Sequence, residues 1–447
     1  MEYISNLLSD ISNIVWGPAM LIFLVGTHIF LTFRLGIIQK HIFKAIKLSF
    51  QKNKEGEGDI SHFGALATAL AATVGTGNIV GVATAIAAGG PGAVLWMWLT
   101  GVFGISTKYS EALLSVKFRT VNKKGFISGG PMYVLERGMN TKWLAVLFAF
   151  FTAIAAFGIG NTVQANSISV LVYDTFNISP WITGAVIAIL TGAVILGGVR
   201  SISKTCEKLV PFMVIFYLVG CFILLFINYE TIGASVMLIL KSAFTGQAAA
   251  GGFVGATIRE AMRFGVARGL FSNESGLGSA PIVAAAAQTK EPVRQALVSS
   301  TGTFWDTVVI CAITGITIVN SGDWMDGHNG VLLTKDTFAN IGFAGTLILA
   351  VSLFTFVFST ILGWSYYGEK AIEYLLGTKA VTPYRWLWVI AVFVGSIISI
   401  PIVWSFSDIA NALMAIPNLI SLWVLNGLIV SETKKYFSNQ GQYSIKQ

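Results

Sequence analysis

Gly75-Thr76-Gly77-Asn78 interrupts a run that otherwise reads as one membrane helix: no charged residue occurs between positions 63 and 107. Two glycines flanking a threonine, with an asparagine behind them, weaken a helix where continuous backbone hydrogen bonding matters most. A break at that depth is tolerated only where the freed N–H and C=O groups face protein, water or a bound solute rather than lipid. Broken helices near the bilayer midplane are one way membrane proteins build solute sites. The stretch therefore bears on fold and function together.

Composition agrees. Only 11% of the 447 residues are charged, 54% are hydrophobic and mean hydropathy is +0.73, where a soluble domain carries about 25% charged residues. The apolar runs are about 20 residues or longer, whereas barrel strands show alternating segments of about 10. The chain reads as an all-α integral membrane protein. Its 47 glycines suit close helix packing. The first residues contain Glu2 and Asp10 and no Lys or Arg, unlike the basic start of a signal peptide. Cys206, Cys221 and Cys311 are isolated and read as packing residues.

Eleven spans are predicted, near 14–38, 62–88, 92–116, 143–172, 180–199, 208–228, 253–287, 295–319, 342–368, 386–406 and 409–431. Segment 232–250 reads as an interfacial or re-entrant helix. Most of the 29 Lys and Arg fall in alternate loops: Arg34 to Lys54, Lys117 to Lys142, Arg200 to Lys208, Lys290 with Arg294, Lys370 to Arg385, and the tail Lys434, Lys435 and Lys446. The opposite loops hold Asp174, Glu230, Asp323, Asp326, Asp336 and Asp408. That asymmetry predicts basic loops in the cytoplasm, an amino terminus outside and a carboxyl terminus inside the cell membrane.

An offset of 201 positions aligns Phe63-Gly64 with Phe264-Gly265, Gly75-Thr76-Gly77 with Gly276-Leu277-Gly278, and Ala83 and Ala85 with Ala284 and Ala286. The two segments lie in spans two and seven, five steps apart, so they run in opposite directions. This is the pattern of a five-plus-five inverted repeat with one extra N-terminal helix. The division follows: 1–59 for the extra helix and its connection, 60–230 and 231–431 for the two repeats, and 432–447 for the tail. The second break, 269–278, sets Ser272, Asn273, Glu274 and Ser275 between apolar flanks, with Pro281 after it. Glu274 is a functional-site candidate by its depth, or else a partner of Arg268 or of a helix terminus that only holds the break. Asp306 in span eight is a proton relay, a cation ligand or a structural partner. Arg259, Glu260 and Arg263 read as an entrance salt-bridge cluster.

A broken helix offers free N–H groups at one end, suited to a carboxylate, and free carbonyls at the other, suited to a hard cation or an ammonium. Two facing breaks would grip both ends of a zwitterion. Asn78 adds an amide able to serve either end. Gly160, Gln164 and Ser167 share one face of span four; Gln164 is either a solute ligand or an interhelical tie. Ser352, Thr355 and Ser359 share a face of span nine, with Thr360 beside them. Such hydroxyls together with helix-end carbonyls suit a small hard cation. Phe271 and Trp364 form an apolar wall around a small side chain, or simply pack. There is no GxxxxGK[ST] motif, no dinucleotide fingerprint around Gly75, and no ligand spacing among His28, His41, His62 and His328. No nucleic-acid partner and no enzyme activity are expected.

Gly89-Gly90-Pro91-Gly92-Ala93-Val94-Leu95-Trp96-Met97-Trp98-Leu99-Thr100-Gly101-Val102-Phe103-Gly104 resembles the signature of the alanine or glycine:cation symporter family, with Leu95 where a Phe is usual. Ser272-Asn273-Glu274-Ser275-Gly276-Leu277-Gly278-Ser279-Ala280-Pro281 and Ser128-Gly129-Gly130-Pro131-Met132-Tyr133 resemble two further blocks, and the likeness covers nearly the whole chain. The resemblance implies a LeuT-like fold of the amino acid–polyamine–organocation superfamily. It implies uptake of L-alanine, glycine and sometimes D-alanine coupled to Na+ or H+, with no organic cofactor and no obligate protein partner. It places the substrate against Thr73, Gly75, Gly77, Asn78, Gln164, Phe271, Ser272 and Trp364. It places one Na+ on carbonyls of Ala71, Val74 and Phe356 with Ser359 and Thr360, and a second on Asn78 and Thr73. A proton-coupled carrier using Glu274 or Asp306, and a channel, are the alternatives.

Overall fold

The computed structural model describes residues 2–51, 56–245, 255–398 and 400–444. Lys52, Lys54, Lys446 and the end of segment 232–250 lie outside them. The regular structure of the described residues is helical except for one two-residue hairpin, Thr120–Val121 against Ile127–Ser128, and two isolated bridges, Glu57 with Thr289 and Ile60 with Ala287. Five continuous helices are long and apolar enough to cross a membrane: Lys142–Phe176, Gly198–Ile227, Pro292–Ser321, Phe343–Leu376 and Ser407–Val424. Two bent pairs also qualify, Pro18–Arg34 with Ile38–Ser49 at 66° and His62–Thr73 with Gly77–Gly89 at 51°. Large apolar side chains such as Phe150, Ile189, Phe226 and Trp386 stay exposed on the outer surface, as a lipid-facing surface requires.

Several boundaries differ from the sequence reading. Arg200, Lys204 and Lys208, expected in a loop, lie in the first turns of Gly198–Ile227. The first span is preceded by a separate helix, Glu2–Val15, because Gly17-Pro18 restarts the chain and Pro is well placed at the first helical position. The join between the last two spans lies after Val381–Gly395, not at Ser407-Asp408. Polarity suggested the later join, but Ser407 and Asp408 sit inside the helix Ile400–Val424, and Asp408 faces Arg268 at 3.9 Å.

The helices sort into two groups. Ala93–Lys117 packs along Ile258–Asn273 and Pro292–Thr303, and Ile258–Asn273 also packs on Val82–Gly89. These are spans two, three, seven and eight, and they form one bundle around the two interruptions. Lys142–Phe157 packs on Phe343–Leu376 and on Ile400–Val424, while Gly198–Ile227 joins Phe343–Leu376 to His62–Thr73. The second group therefore flanks the bundle and meets it at the breaks.

Candidate functional site

Ser61 caps His62–Thr73 by accepting the N–H of Gly64 at 2.8 Å. The helix stops where Val74 turns extended, and a π turn, Gly77–Gly81, restarts it. Asn78 makes the stop permanent. Its Oδ1 accepts the N–H of Gly75 at 2.9 Å, while its Nδ2 donates to Asp306 Oδ1 at 2.7 Å and to the Asp306 carbonyl at 3.1 Å. The amide thus serves the break itself rather than standing free.

Gly75 and Gly77 are absent from the positive-φ glycines of the chain, so their role is closeness. A Cβ on Gly75 would overlap the Thr360 hydroxyl and stand 3.3 Å from Gln164 Oε1. One on Gly77 would stand 3.0 Å from Ser272 Cα and 3.3 Å from the Phe271 ring. The two breaks are therefore in direct contact.

The second break is built differently. Ile258–Asn273 begins with a capping box between Thr257 and Glu260 and ends where Glu274 takes φ +55°. Gly276 and Gly278 follow at φ +91° and +83°, conformations that need glycine. The expectation that free N–H groups here receive a substrate carboxylate needs correction. The N–H groups of Gly276 and Gly278 both donate to Glu111 Oε1 at 3.0 Å, and Asn418 Nδ2 joins them at 2.6 Å. The protein supplies its own carboxylate because a buried loop cannot leave those donors unpaired. Glu260, expected in an entrance salt-bridge cluster, uses its carboxylate on the N–H of Thr257 at 2.7 Å.

Glu274 does not pair with Arg268. It accepts the indole N–H of Trp364 at 2.8 Å and the Ser279 hydroxyl at 2.5 Å. Arg268 instead faces Asp408 and lies over the Phe271 ring, 5.6 Å from its centroid. Asp306 ties the breaks together: beside the Asn78 bond, Oδ2 accepts Ser272 Oγ at 2.9 Å and Thr307 Oγ1 at 2.6 Å.

Span four supplies Gln164 through a π turn, Gly158–Thr162. Gln164 Oε1 accepts the Thr76 N–H at 3.3 Å and its Nε2 donates to the Ile159 carbonyl at 2.9 Å. Gly160, on the same face, has no room for a Cβ because the Trp364 indole occupies that space. Ser167 lines a separate cavity of about 380 Å³ with Thr84, Arg268, Asn329 and Leu332. Span nine enters at Gly363, which packs on Ala72 of the first break. This sets Thr360 Oγ1 3.4 Å from the Val74 carbonyl, and Ser359 Oγ donates to the Phe356 carbonyl at 2.9 Å. Val74, Phe356, Ser359 and Thr360 thus bring oxygens only, a donor set matched to a hard cation. Ala71 is buried one turn before Val74. Thr73 donates to the Ala69 carbonyl at 3.1 Å and lines a small cavity beside Asn273.

The structure brings together Gly75, Gly77, Asn78, Gln164, Phe271, Ser272, Thr360 and Trp364, each of them buried. At a distance from this centre a cavity of about 250 Å³ is lined by Lys124, Arg200, Glu369, Lys370, Glu373 and Arg385. There Arg385 pairs with Glu369 at 2.7 Å and Lys370 with Glu373 at 2.9 Å. Sequence reasoning missed Lys108, Glu111 and Asn418. Lys108 and Glu111 had a usable signal, two charges at i and i+3 inside an apolar span.

An all-helical membrane fold with two interrupted helices meeting at a buried polar centre is that of a multi-pass transporter. The chain belongs to the sodium:alanine symporter family, whose model matches residues 1–446. It is 52% identical over 447 residues to the sodium/alanine symporter AgcS of Methanococcus maripaludis, covering 98% of each chain. It is 49% identical over 443 residues to an uncharacterized transporter of Haemophilus influenzae, covering 97% of this chain and 96% of that one. Among solved structures it is similar to MhsT in complex with L-phenylalanine, with a TM-score of 0.61 and 15% identity over 85% of this chain and 93% of that chain. This last likeness establishes the LeuT-like fold.

Proposed function

We propose that the protein is a secondary active symporter that imports small neutral amino acids, L-alanine and glycine and sometimes D-alanine, coupled to Na+ by alternating access. The observation that carries this reading is the contact between the two breaks at Gly77 and Ser272, with Gln164, Thr360 and Trp364 closing around them. Membership of the sodium:alanine symporter family and the name of the AgcS relative support the solute and the ion. The substrate meets Thr73, Gly75, Gly77, Asn78, Gln164, Phe271, Ser272 and Trp364. Trp364, held by Glu274 and packed on Gly160, and Phe271 against Gly77 wall the centre with rings, which suits a small side chain. Na+ binds the oxygens of Ala71, Val74, Phe356, Ser359 and Thr360, and a second ion binds near Asn78 and Thr73.

The same reading takes the chain as eleven spans in a five-plus-five inverted repeat, divided at 59, 230 and 431, with the amino terminus outside and the carboxyl terminus cytoplasmic. The bundle of spans two, three, seven and eight rocks against the flanking helices, exposing the buried centre first to the cavity beside Ser167, which this reading puts outside, and then to the cavity beside Arg385, which it puts in the cytoplasm. Purified protein in liposomes is expected to accumulate labelled alanine under an inward Na+ gradient. Accumulation driven by a pH gradient without Na+ replaces Na+ by H+ as the coupling ion. Equilibration without accumulation under either gradient makes the chain a channel.

A further inference from the structure

Arg119 follows the helix Ala93–Lys117, and its guanidinium is spread over four backbone carbonyls. Nη1 donates to Ala285 at 2.9 Å and to Ala287 at 2.7 Å. Nη2 donates to Glu57 at 2.8 Å and to Thr289 at 2.9 Å. Glu57 leads into the first broken helix, and the other three residues close the second. A planar fork with fixed donor directions can join carbonyls from two segments in this way, where a single ammonium cannot match the geometry.

The backbone joins the same two segments. Asp59 N–H donates to the Ala286 carbonyl at 2.8 Å, Gln288 N–H to Ile60 at 2.8 Å and Thr289 N–H to Glu57 at 3.3 Å. Gly56 and Gly58 have no room for a Cβ, because the backbone of Thr289 and Gln288 fills that space. Span three adds Ser115, whose Oγ donates to the Pro281 carbonyl at 2.7 Å. Asp59 Oδ2 accepts the Ile127 N–H at 2.8 Å, which attaches the hairpin. Toward the flanking helices the contacts are of another kind. Asn122 Nδ2 and Ser128 Oγ donate to Glu373 Oε1 at 2.6 and 3.3 Å, Lys370 Nζ donates to Ser128 Oγ at 3.1 Å, and Ser61 Oγ donates to Glu207 at 3.2 Å. These are bonds between polar side chains, which water can replace. Ala285, Ala286, Ala287 and Thr289 are buried, so carbonyls freed there would find no substitute partner.

We infer that Arg119 pins a joint that stays closed through the transport cycle. The two broken helices then move as one body, and the seam that opens runs past Glu373, Lys370 and Glu207. Arg119 is a positioning residue, acting through the carbonyls it holds and touching neither substrate nor ion. The inference rests on the alternating access proposed above, so wild-type alanine uptake under a Na+ gradient is the control. Failure of that control sinks the transport reading, whereas failure of the variants with the control intact sinks only the joint.

The test introduces Glu57→Cys with Thr289→Cys. Antiparallel bridge partners have Cα atoms about 4.5–5.5 Å apart, within reach of a disulfide. Cys206, Cys221 and Cys311 are buried, so the introduced pair is the one an oxidant joins. Oxidation is expected to leave alanine uptake in liposomes unchanged. Arg119→Ala is expected to lower the maximal rate roughly tenfold, with half-saturating alanine and Na+ unchanged, and Arg119→Lys to lower it less. Oxidising the cysteine pair in the Arg119→Ala protein should restore the rate, because the disulfide replaces the pin. Uptake that oxidation blocks and dithiothreitol recovers means that the two ends part in each cycle, and it overturns the inference. So does an Arg119→Ala rate that oxidation fails to restore, or a cysteine pair that stays reduced. If Arg119→Ala cannot be purified, the cysteine pair with Arg119 in place carries the test alone.

Discussion

Asn78 makes four hydrogen bonds at once, to the Gly75 N–H, the Asp306 carboxylate and carbonyl and Cys311 Sγ, and that decides what its loss does. With alanine there, the Gly75 N–H and two Asp306 oxygens, Oδ1 and the carbonyl, lose a buried partner. Each unsatisfied buried group costs about 1–3 kcal/mol. Asn78→Ala is therefore expected to reduce alanine uptake in liposomes by at least roughly tenfold, since 1.4 kcal/mol is a factor of about ten. Unchanged uptake removes Asn78 from the site. The residue was visible in the sequence as an amide inside a glycine pair, but its partner was not. Asp306 is 228 positions away, and only the fold shows that Ser272 and Asn78 share its carboxylate.

The interrupted helices show how similar motifs acquire different duties. The 201-position offset pairs Gly75 with Gly276 and Gly77 with Gly278, yet the first pair serves close approach and the second serves left-handed backbone. Sequence similarity pointed to both breaks and could not separate these uses, because both select glycine. The π turn of span four gives a direct test. Gly160→Ala forces a methyl into the Trp364 indole, and overpacking of that kind costs about 1–3 kcal/mol. The variant is expected to show a lower melting temperature and weaker alanine uptake. Glycine uptake should fall less, because glycine presents no side chain to the displaced ring. Equal losses for the two substrates would detach Trp364 from size selection.

The loop before Gly330–Ala339 borders the cavity beside Ser167 and is pinned by His328 Nδ1 on Asp336 at 2.5 Å. That hydrogen bond and the Asp336 charge raise the His328 pKa above 6.5. A raised folded-state pKa stabilises fully below the unfolded value and is lost as pH rises through the folded one. The difference in melting temperature between wild type and Asp336→Asn is therefore expected to be present at pH below about 6 and to vanish at alkaline pH. A pH-independent difference would mean that the contact works without the charge. Topology has its own test. Cys206, Cys221 and Cys311 are buried, so a cysteine introduced at exposed Lys379 should react with impermeant maleimide only after the membrane is opened. Labelling in intact cells reverses the orientation.

The membrane class, the apolar segments, both breaks and most of the polar residues beside them were legible in the chain alone. These depend on composition and on neighbours a few positions apart, which a linear sequence records directly. The joins between helices were less legible: Asp408 looks like a loop residue until Arg268, from a distant helix, explains its place inside Ile400–Val424. Glu111 was passed over because its partners Gly276, Gly278 and Asn418 lie 165 to 307 positions away. Which carboxylate holds the second break, which one locks Trp364 and which one joins the two breaks all depend on contacts between distant segments. A buried charge is stable only where the fold brings it partners, so those assignments belong to the packed helices and not to any stretch of sequence.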